Sequence, residues 1–409
     1  MTLRYTPEQI DALKAQVDVA ALAGELVRLR RGSSKYGRGG FKGPCPFCAR
    51  DPQSRAAAMF ECNAEAWVCA KCPAGGSAID FIMRRDGLDF LAAVDRLGGV
   101  PNVDPETAAR LKVSAEDKRK RQAIEEGRRR ELERKRLFDH FWHPAPPWQE
   151  SPVESYLTRR GLKVPPGAKL RFAPDLPFFK SGVEFDPVVL HRGPAMLAAI
   201  LDTAGVFRGL HMTWIDLSAA GEARNWKALI LDDETGEVLN AKKSRGTKQG
   251  GYIDLGGHPI DPPISLPRGG NLYFDRQFSG EGNESTLAVY SAMVLAGRDV
   301  RGIAWRGGVD LGNLVGAALP LDRERHPTLK DKAGRVRRIP GRKPDMTALA
   351  MPVLAGAREL VQIADGDSDP FTTQCAMARG EARHARPGLS VRTIWPRPGT
   401  DFNSMLQGK

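Results

Sequence analysis

The 409-residue sequence has no apolar run near the roughly 20 residues that a membrane-spanning helix requires. Its opening stretch, MTLRYTPEQIDALKAQ, lacks the apolar core of an export signal. These two absences argue against a membrane-embedded or secreted protein and leave a cytoplasmic one as the expectation. No segment fits G-x-x-x-x-G-K-S/T, so a phosphate-loop motor is not expected either. Cysteine is scarce, at six residues, and five of the six fall between positions 45 and 72. Bunching of that kind, with no export signal, points to a metal site and away from a disulfide framework. No internal repeat is present.

What remains is ordinary in bulk and unusual in charge. The apolar fraction of 41% and charged fraction of 27% suit a globular chain long enough for two or three domains. The formal net charge of +12 favours an anionic partner, and nucleic acid and an anionic membrane both fit that sign. With no spanning or anchoring segment, nucleic acid is the expected partner.

TPEQIDALKAQVDVAALAGELVRLR reads as a helix pair with Thr6 as N-cap and Gln9 as its capping-box partner. Residues 32–43 form a basic stretch leading to the cysteines, and two short helices broken at Gly87 follow them. SAEDKRKRQAIEEGRRRELERKRLFDHFW has helical composition throughout, reads as a solvated linker helix or a nucleic-acid contact, and ends at HPAPPW. AMLAAILDTAGVFRGLHMTWIDL reads as two strands joined at DTAG, followed by a basic loop, AKKSRGTKQGG. From position 271 strands and helices alternate through NLYF, ESTLAVYSAMVLAG, VRGIAW, NLVGAAL, ELVQIA, FTTQCAMARGEARHA and SVRTIW. That alternation predicts a doubly wound parallel sheet. It is interrupted by a basic segment at 321–346, read as an inserted loop that either contacts nucleic acid or lies on the surface.

Cys45-Pro-Phe-Cys48 and Cys69-Ala-Lys-Cys72 are two C-x-x-C knuckles separated by 20 residues. Each tight turn aims two sulfurs at one ion, and two turns complete a tetrahedral zinc site with sulfurs about 2.3 Å from the metal. Four thiolates leave no open position, so the zinc is expected to build structure, not to perform chemistry. Cys62 is either a core thiol or a substitute ligand. Trp67 and Phe60 either pack a small ribbon or stack on bases.

The pattern VDVAALAGELVRLRRG, GPCPFC, WVCAKCPAGGSAIDFIMRRDGLDFLAAVDRL resembles the N-terminal zinc-binding domain of the DnaG-type bacterial primases and their phage and plasmid relatives, over about residues 8–97. The resemblance implies a zinc ribbon that touches the single-stranded template. Many members carry a histidine where this chain has Cys48, so the ligand set is similar to the all-cysteine variant.

Further on, FSGEGNESTLAVYSAMVLAG, ELVQIADGDSDP and WPRPGTDFNSML are similar to the Toprim fold shared by primases, topoisomerases and some nucleases. The resemblance implies that Glu281, Asp365, Asp367 and Asp401 form the acidic site, with Glu281 as catalytic acid/base or indirect ligand. Asp365, Asp367 and Asp401 would hold Mg²⁺ or Mn²⁺. Each of these carboxylates follows a predicted parallel strand, at the edge where open α/β sheets bind ligands. Hard divalent cations take oxygen ligands and share them with substrate phosphates. Asp369 is a third metal ligand or a turn residue, and Glu284 is ambiguous between site and helix cap. Cellular primases often carry another aspartate just after the position of Asp401, where this chain has Phe402 and Asn403. Residues 195–256 resemble a primase template-gripping subdomain, and there Lys242, Lys243, Arg245 and Lys248 are phosphate-contact candidates or solvated charges. Arg208, His211 and Arg306 are weaker candidates.

The expected architecture is multidomain, α+β and α/β. It comprises a zinc-binding domain over 1–104, a charged helical linker over 105–149, a basic mixed α+β subdomain over 150–268 and a Toprim sheet over 269–409. The expected function is DNA-templated synthesis of short RNA primers from nucleoside triphosphates, alongside a separate helicase. A Toprim-type nuclease and a non-catalytic single-stranded-DNA-binding accessory protein are the alternatives.

Overall fold

The computed structural model describes residues 5, 7–31, 40–53, 59–72, 74–99, 105–180, 188–260, 274–330, 334–366 and 368–408. The chain divides into two compact units, Met1–Glu126 and Gly127–Lys409.

The first unit opens with α1 (Pro7–Gln16) and α2 (Val19–Gly24). The expected Thr6 cap lies outside the described residues. Helix α2 is capped by Asp18, whose Oδ1 accepts from the Ala20 and Ala21 amides at 2.7 and 3.1 Å. Strands β1 (Arg30–Arg31), β2 (Phe41–Gly43), β3 (Phe60–Cys62), β4 (Trp67–Cys69) and β5 (Ala74–Gly76) form an antiparallel meander in chain order. Helices α3 (Ala78–Asp86) and α4 (Phe90–Arg96) follow. Gly87 ends α3 at φ 67°, the left-handed region where a glycine cap carries no Cβ penalty. So small a ribbon needs a dense centre, and Trp67 supplies it. Phe47, Phe60 and Phe81 surround its ring at centroid distances of 5.1, 5.8 and 5.8 Å. Both Trp67 and Phe60 are buried, which makes them core residues and not base-stacking platforms.

Helix α5 (Pro105–Leu137) runs across the division between the units and ends in a π-helical turn, Phe138–Trp142. Residues 120–132 of its charged body are exposed, but its last turns are not linker. Leu137, Phe138, Phe141 and Trp142 are apolar and pack into the core of the second unit.

The second unit is built on one nine-stranded sheet. Helix α6 (Pro152–Arg159) leads into the long antiparallel strands β6 (Leu170–Phe179), β7 (Val189–Leu201) and β8 (Phe207–Trp214). Asp202 and Gly205 make the turn between β7 and β8 that DTAG predicts: Asp202 Oδ1 accepts from the Ala204 and Val206 amides, each at 3.0 Å. A short helix α7 (Ala219–Glu222) and a two-stranded hairpin, β9 (Ile230–Leu231) with β10 (Val238–Leu239), precede β11 (Lys242–Gly246) and β12 (Tyr252–Gly257). Next come β13 (Arg276–Gly280), α8 (Asn283–Leu295), β14 (Ile303–Gly307) and α9 (Leu311–Val315). A second hairpin, β15 (Arg323–Lys330) with β16 (Val336–Pro340), separates these from β17 (Glu359–Ile363), α10 (Pro370–His384), β18 (Ser390–Ile394) and α11 (Phe402–Leu406).

Strand order across the sheet is β11-β8-β7-β12-β14-β13-β17-β18, with β6 also paired to β7. Strands β14, β13, β17 and β18 are mutually parallel, and the remaining pairings are antiparallel. Period-two alternation feeds two cores. Ala195, Leu197, Ala199 and Leu201 of β7 join Leu314, Val315, Ala376 and Met377 of α9 and α10 on one face. Met196, Ala198 and Ile200 join Tyr156, Leu157, Leu287 and Ala288 of α6 and α8 on the other.

Three expectations are revised, and a fourth lies mostly outside the described residues. The sheet is continuous across the division expected at 268/269, because β12 pairs with β14, so both segments share one layer. NLYF falls mostly outside the described residues, and the strand begins at Arg276. The basic stretch from Lys242 is an edge strand, not a loop, and the 321–346 insertion carries a β-hairpin. Among the described residues, no helix is long and apolar enough to cross a membrane.

Candidate functional site

In the first unit Cys45, Cys48, Cys69 and Cys72 bring their sulfurs within 4.8 Å of one another. Two opposite contacts, Cys45–Cys72 and Cys48–Cys69, each measure 3.7 Å. A tetrahedron with metal–sulfur bonds of about 2.3 Å has edges of about 3.8 Å, so these four thiols fit a structural zinc ion. Cys62 is not part of the cluster. It is fully buried in the ribbon core, where burial, with Asp18 nearby, pushes its thiol up to about 12.

In the second unit the parallel strands set the geometry of an acidic rim. In register, Gly280 lies beside Ile363 and Ile363 beside Ile394, so β13, β17 and β18 end together. Glu281 follows the first of these strands, Asp365 follows the second, and Asp401 lies on the loop after the third. All three half-buried carboxylates line one cavity of about 360 Å³. Close backbone approach holds the loops together. A Cβ at Gly280 would meet Thr286 Oγ1 at 2.6 Å, and one at Gly366 would sit 2.0 Å from the Thr400 carbonyl oxygen, next to Asp401. Asp401 also caps α11 through the Ser404 amide. Asp367 lies outside the described residues. Asp369 is not among the residues lining the cavity. It caps α10 by accepting from the Thr372 amide at 2.8 Å and pairs with His326 at 2.8 Å. These bonds hold its carboxyl low, at about 2. Among the described residues, the cysteine set is the only group of three or more metal-binding side chains with all donor atoms this close together.

Opposite the acids stands a cationic wall that the sequence reading largely missed. Glu284, only 3% exposed, accepts from Lys242 Nζ at 2.6 Å and from the Tyr156 hydroxyl at 2.9 Å. Burial alone would raise its carboxyl. Lys242, Lys227 and Arg160 outweigh that and hold it well below the ordinary carboxylate range. Burial and the neighbouring Lys242 push Lys227 down to about 8. His211, in the same wall, is pushed down to about 4 by burial and then by Lys242, and so is neutral at pH 7. Arg160 donates Nε to Asn403 Oδ1 at 2.8 Å and Nη1 to the Tyr156 hydroxyl at 3.0 Å, which ties α6 to α11. The position of Glu284 inside the first turn of α8 was the only local signal for this network. Arg160 and Lys227 lie far away in sequence and gave none.

Strand alternation divides three of the four predicted phosphate contacts, and Lys248 lies beyond the end of β11. Lys242 pairs with Thr213 of β8 and turns toward Glu284, whereas Lys243 and Arg245 pair with Met212 and Leu210, core residues of the opposite face. Lys243 accordingly lies over the Phe178 ring, 4.3 Å from its centroid, and donates to the Phe179 carbonyl oxygen. Arg245 pairs with Glu133 at 2.5 Å, and Lys248 pairs with Asp310. Lys243 and Lys248 line a second cavity, of about 600 Å³, with Phe178 and Lys180. Arg208 is exposed and pairs with Asp202 at 3.6 Å. Arg306 is tied inward, 3.9 Å from the Tyr252 ring centroid and 3.2 Å from the Pro352 carbonyl oxygen.

A zinc ribbon and a mixed sheet with carboxylates at one strand end are thus the two features to compare with known proteins. Residues 5–112 match the CHC2 zinc finger family, and residues 132–254 match a domain of unknown function, DUF7146. The chain is 28% identical over 158 residues to a DNA primase of Chlamydia trachomatis, covering 39% of this chain and 24% of that protein. It is 33% identical over 103 residues to the DNA primase of Geobacillus stearothermophilus, covering 25% of this chain and 16% of that one. The zinc-binding and RNA polymerase domains of the Aquifex aeolicus primase align over 98% of this chain and 83% of that one at 13% identity, with a TM-score of 0.30. The chain is thus similar in part to DNA primases, and the stretch it shares with the two sequence relatives is a quarter of their length or less.

Two outcomes follow from this geometry. Metal analysis of the purified chain should find one zinc per molecule. Cys45→Ser should lose it and Cys62→Ala should keep it; loss of zinc from Cys62→Ala would make that thiol a ligand. Replacing Glu284 with Gln should cost about 3–5 kcal/mol of stability at pH 7, read by urea unfolding, because it leaves buried cations unmatched. The folded carboxyl titrates below its ordinary value, so its stabilisation is complete above about pH 4.3 and is lost as pH falls toward the folded value. The difference between wild type and Glu284→Gln should therefore narrow only on acidification below that point.

Proposed function

We propose that the protein is a DNA primase that synthesises short RNA primers on single-stranded DNA. The observation that carries this reading is the convergence of Glu281, Asp365 and Asp401, from the ends of parallel strands, on one cavity walled by Lys242, Lys227 and Arg160. Acids alone would hold metal, and cations alone would hold phosphate. Together they suit a metal–triphosphate complex. The relationship to primases through the zinc ribbon supports the same reading.

On this reading residues 269–409 are a Toprim domain, 1–104 a template-contacting zinc domain, 105–149 a helical linker whose last turns pack into the second unit, and 150–268 a basic platform that shares one sheet with the Toprim segment. Asp365, Asp367 and Asp401 would hold Mg²⁺ or Mn²⁺, and their carboxylate oxygens match the preference of hard cations. Carboxylates spread around a cavity also suit ions whose remaining ligands are water and substrate phosphate. When bound, the metal would activate a primer 3′-hydroxyl and neutralise charge on the leaving pyrophosphate. Glu281 orients or deprotonates the attacking hydroxyl. Lys242 lies within reach of the triphosphate while remaining paired to Glu284. Arg245 and Lys248 do not line this cavity and serve the template strand, while Lys243 borders both cavities and links the two. Asp369, engaged by α10 and His326, shapes the acidic loop and is not itself a ligand. Ribonucleoside triphosphates are the substrates, a separate helicase opens the template, and the setting is the cytoplasm of a cell carrying a phage, plasmid or integrated element.

Incubation with single-stranded DNA, Mg²⁺ and labelled ribonucleotides tests this. Short RNA products are expected. Cut DNA would instead indicate a nuclease, and a mobility shift alone would indicate a binding protein. Asp365→Asn combined with Asp367→Asn should abolish synthesis while leaving affinity for single strands intact, and undiminished synthesis by that variant would overturn the assignment.

A further inference from the structure

Between α9 and β17 the chain leaves the sheet to form the β15–β16 ribbon, whose arginines the catalytic reading does not use. Its root is fixed. His326 is 2% exposed, and its Nδ1 accepts from the Thr328 and Leu329 amides at 3.2 and 2.8 Å. Nε2 therefore carries the proton and donates to Asp369 Oδ1 at 2.8 Å, while the ring lies edge-on to Phe371 with centroids 5.3 Å apart. Arg379 of α10, 6% exposed, donates to the carbonyl oxygens of Gly341 and Gly316 at 2.5 and 2.9 Å. An insertion anchored by two buried polar side chains is held in place and is not a loose surface loop.

The outer face of the ribbon carries charge of one sign. Register pairs Glu324 with Ile339, Arg325 with Arg338 and Arg323 with Pro340. Alternation turns His326 and Ile339, both buried, inward and leaves Arg323, Arg325 and Arg338 together on the outward face, all exposed. Arg325 and Arg338 stand directly opposite one another, an arrangement that repels. Among the described residues the nearby acids are engaged elsewhere: Glu324 pairs with Arg342 at 3.1 Å, and Asp322 accepts from the Lys343 amide at 2.6 Å. A two-stranded ribbon is marginal by itself, so built-in repulsion on it calls for an anion lying across the pair. Guanidinium forks in a row match a string of phosphates.

We propose that the β15–β16 ribbon is a phosphate-gripping arm in which Arg323, Arg325 and Arg338 take successive backbone phosphates of a nucleic acid beside the acidic rim. This goes beyond the primase reading and needs only that the ligand be nucleic acid. The test is affinity for labelled single-stranded DNA, duplex DNA and an RNA–DNA hybrid across a salt series, for the full chain and the Arg323→Ala/Arg325→Ala/Arg338→Ala variant. The slope of log affinity against log salt should become shallower by about 2 for single strands or about 3 for a duplex, and the form that responds identifies which strand state the arm holds. The triple lysine variant should keep most of the wild-type slope. Arg298→Ala/Arg301→Ala, in the segment preceding β14 and so at the opposite end of the parallel strands, should leave it nearly unchanged. Unaltered binding by the alanine triple on all three ligands, or an equal loss in the control pair, would overturn the arm. A wild type that makes primers while the triple binds normally removes only the arm. A triple that binds weakly, in a protein that makes no primers, keeps the arm and removes the polymerase.

Discussion

Glu284 is ionised where ionisation is hardest to sustain, and the second unit is arranged around keeping it so. Lys242 reaches it from the edge strand β11, the Tyr156 hydroxyl from α6, and Arg160 links that hydroxyl to Asn403 of α11. Elements α8, β11 and α6, drawn from widely separated parts of the chain, thus meet at one carboxylate, and α11 is tied to them through Arg160. Removing a single partner would strand like charges in a poorly solvated space, which is why this kind of network fixes geometry more firmly than it adds stability. The result is a cavity wall of cations whose positions are fixed by the fold itself, so that its charge is preorganised.

The acidic rim has a simpler origin. Parallel strands in register end together, so residues that follow them are gathered along one edge whatever their separation in sequence. Glycine does the fine placement: Gly366 lets the loop after β17 press against the Thr400 carbonyl, where a side chain would push Asp365 and Asp401 apart. Zinc plays the corresponding role in the first unit, where a ribbon of two- and three-residue strands is closed by four thiols and one aromatic cluster.

Legibility followed the range of the interactions. Knuckle spacing displayed the zinc ligands outright, because each pair is made within one tight turn. Alternating strand and helix patterns displayed β14, β17, β18, α8 and α10, whose periodicity is local. The sequence reading also identified Glu281, Asp365 and Asp401 as companions. It could not place Arg160 or Lys227, since burial beside Glu284 depends on contacts more than fifty residues away in each case. Lys243 and Arg245 looked like partners of Lys242 until pairing with β8 sent them to the other face. Glycines near Lys242 suggested a loop, yet Gly209 and Gly246 are what allow β11 to lie close against β8.

The interleaved order of the parallel half has a kinetic side. Strand β17 enters the sheet between β13 and β18, and its register joins Arg276 to Glu359 across a long intervening segment. During synthesis β13 and β14 emerge early and must wait with the outer backbone edge of β13 unpaired until β17 arrives. Late closure of that kind slows maturation and exposes an adhesive border to neighbouring nascent chains. Efficient recovery of the native protein should therefore favour slow translation and low temperature, conditions that give the waiting edge time to find its own strand.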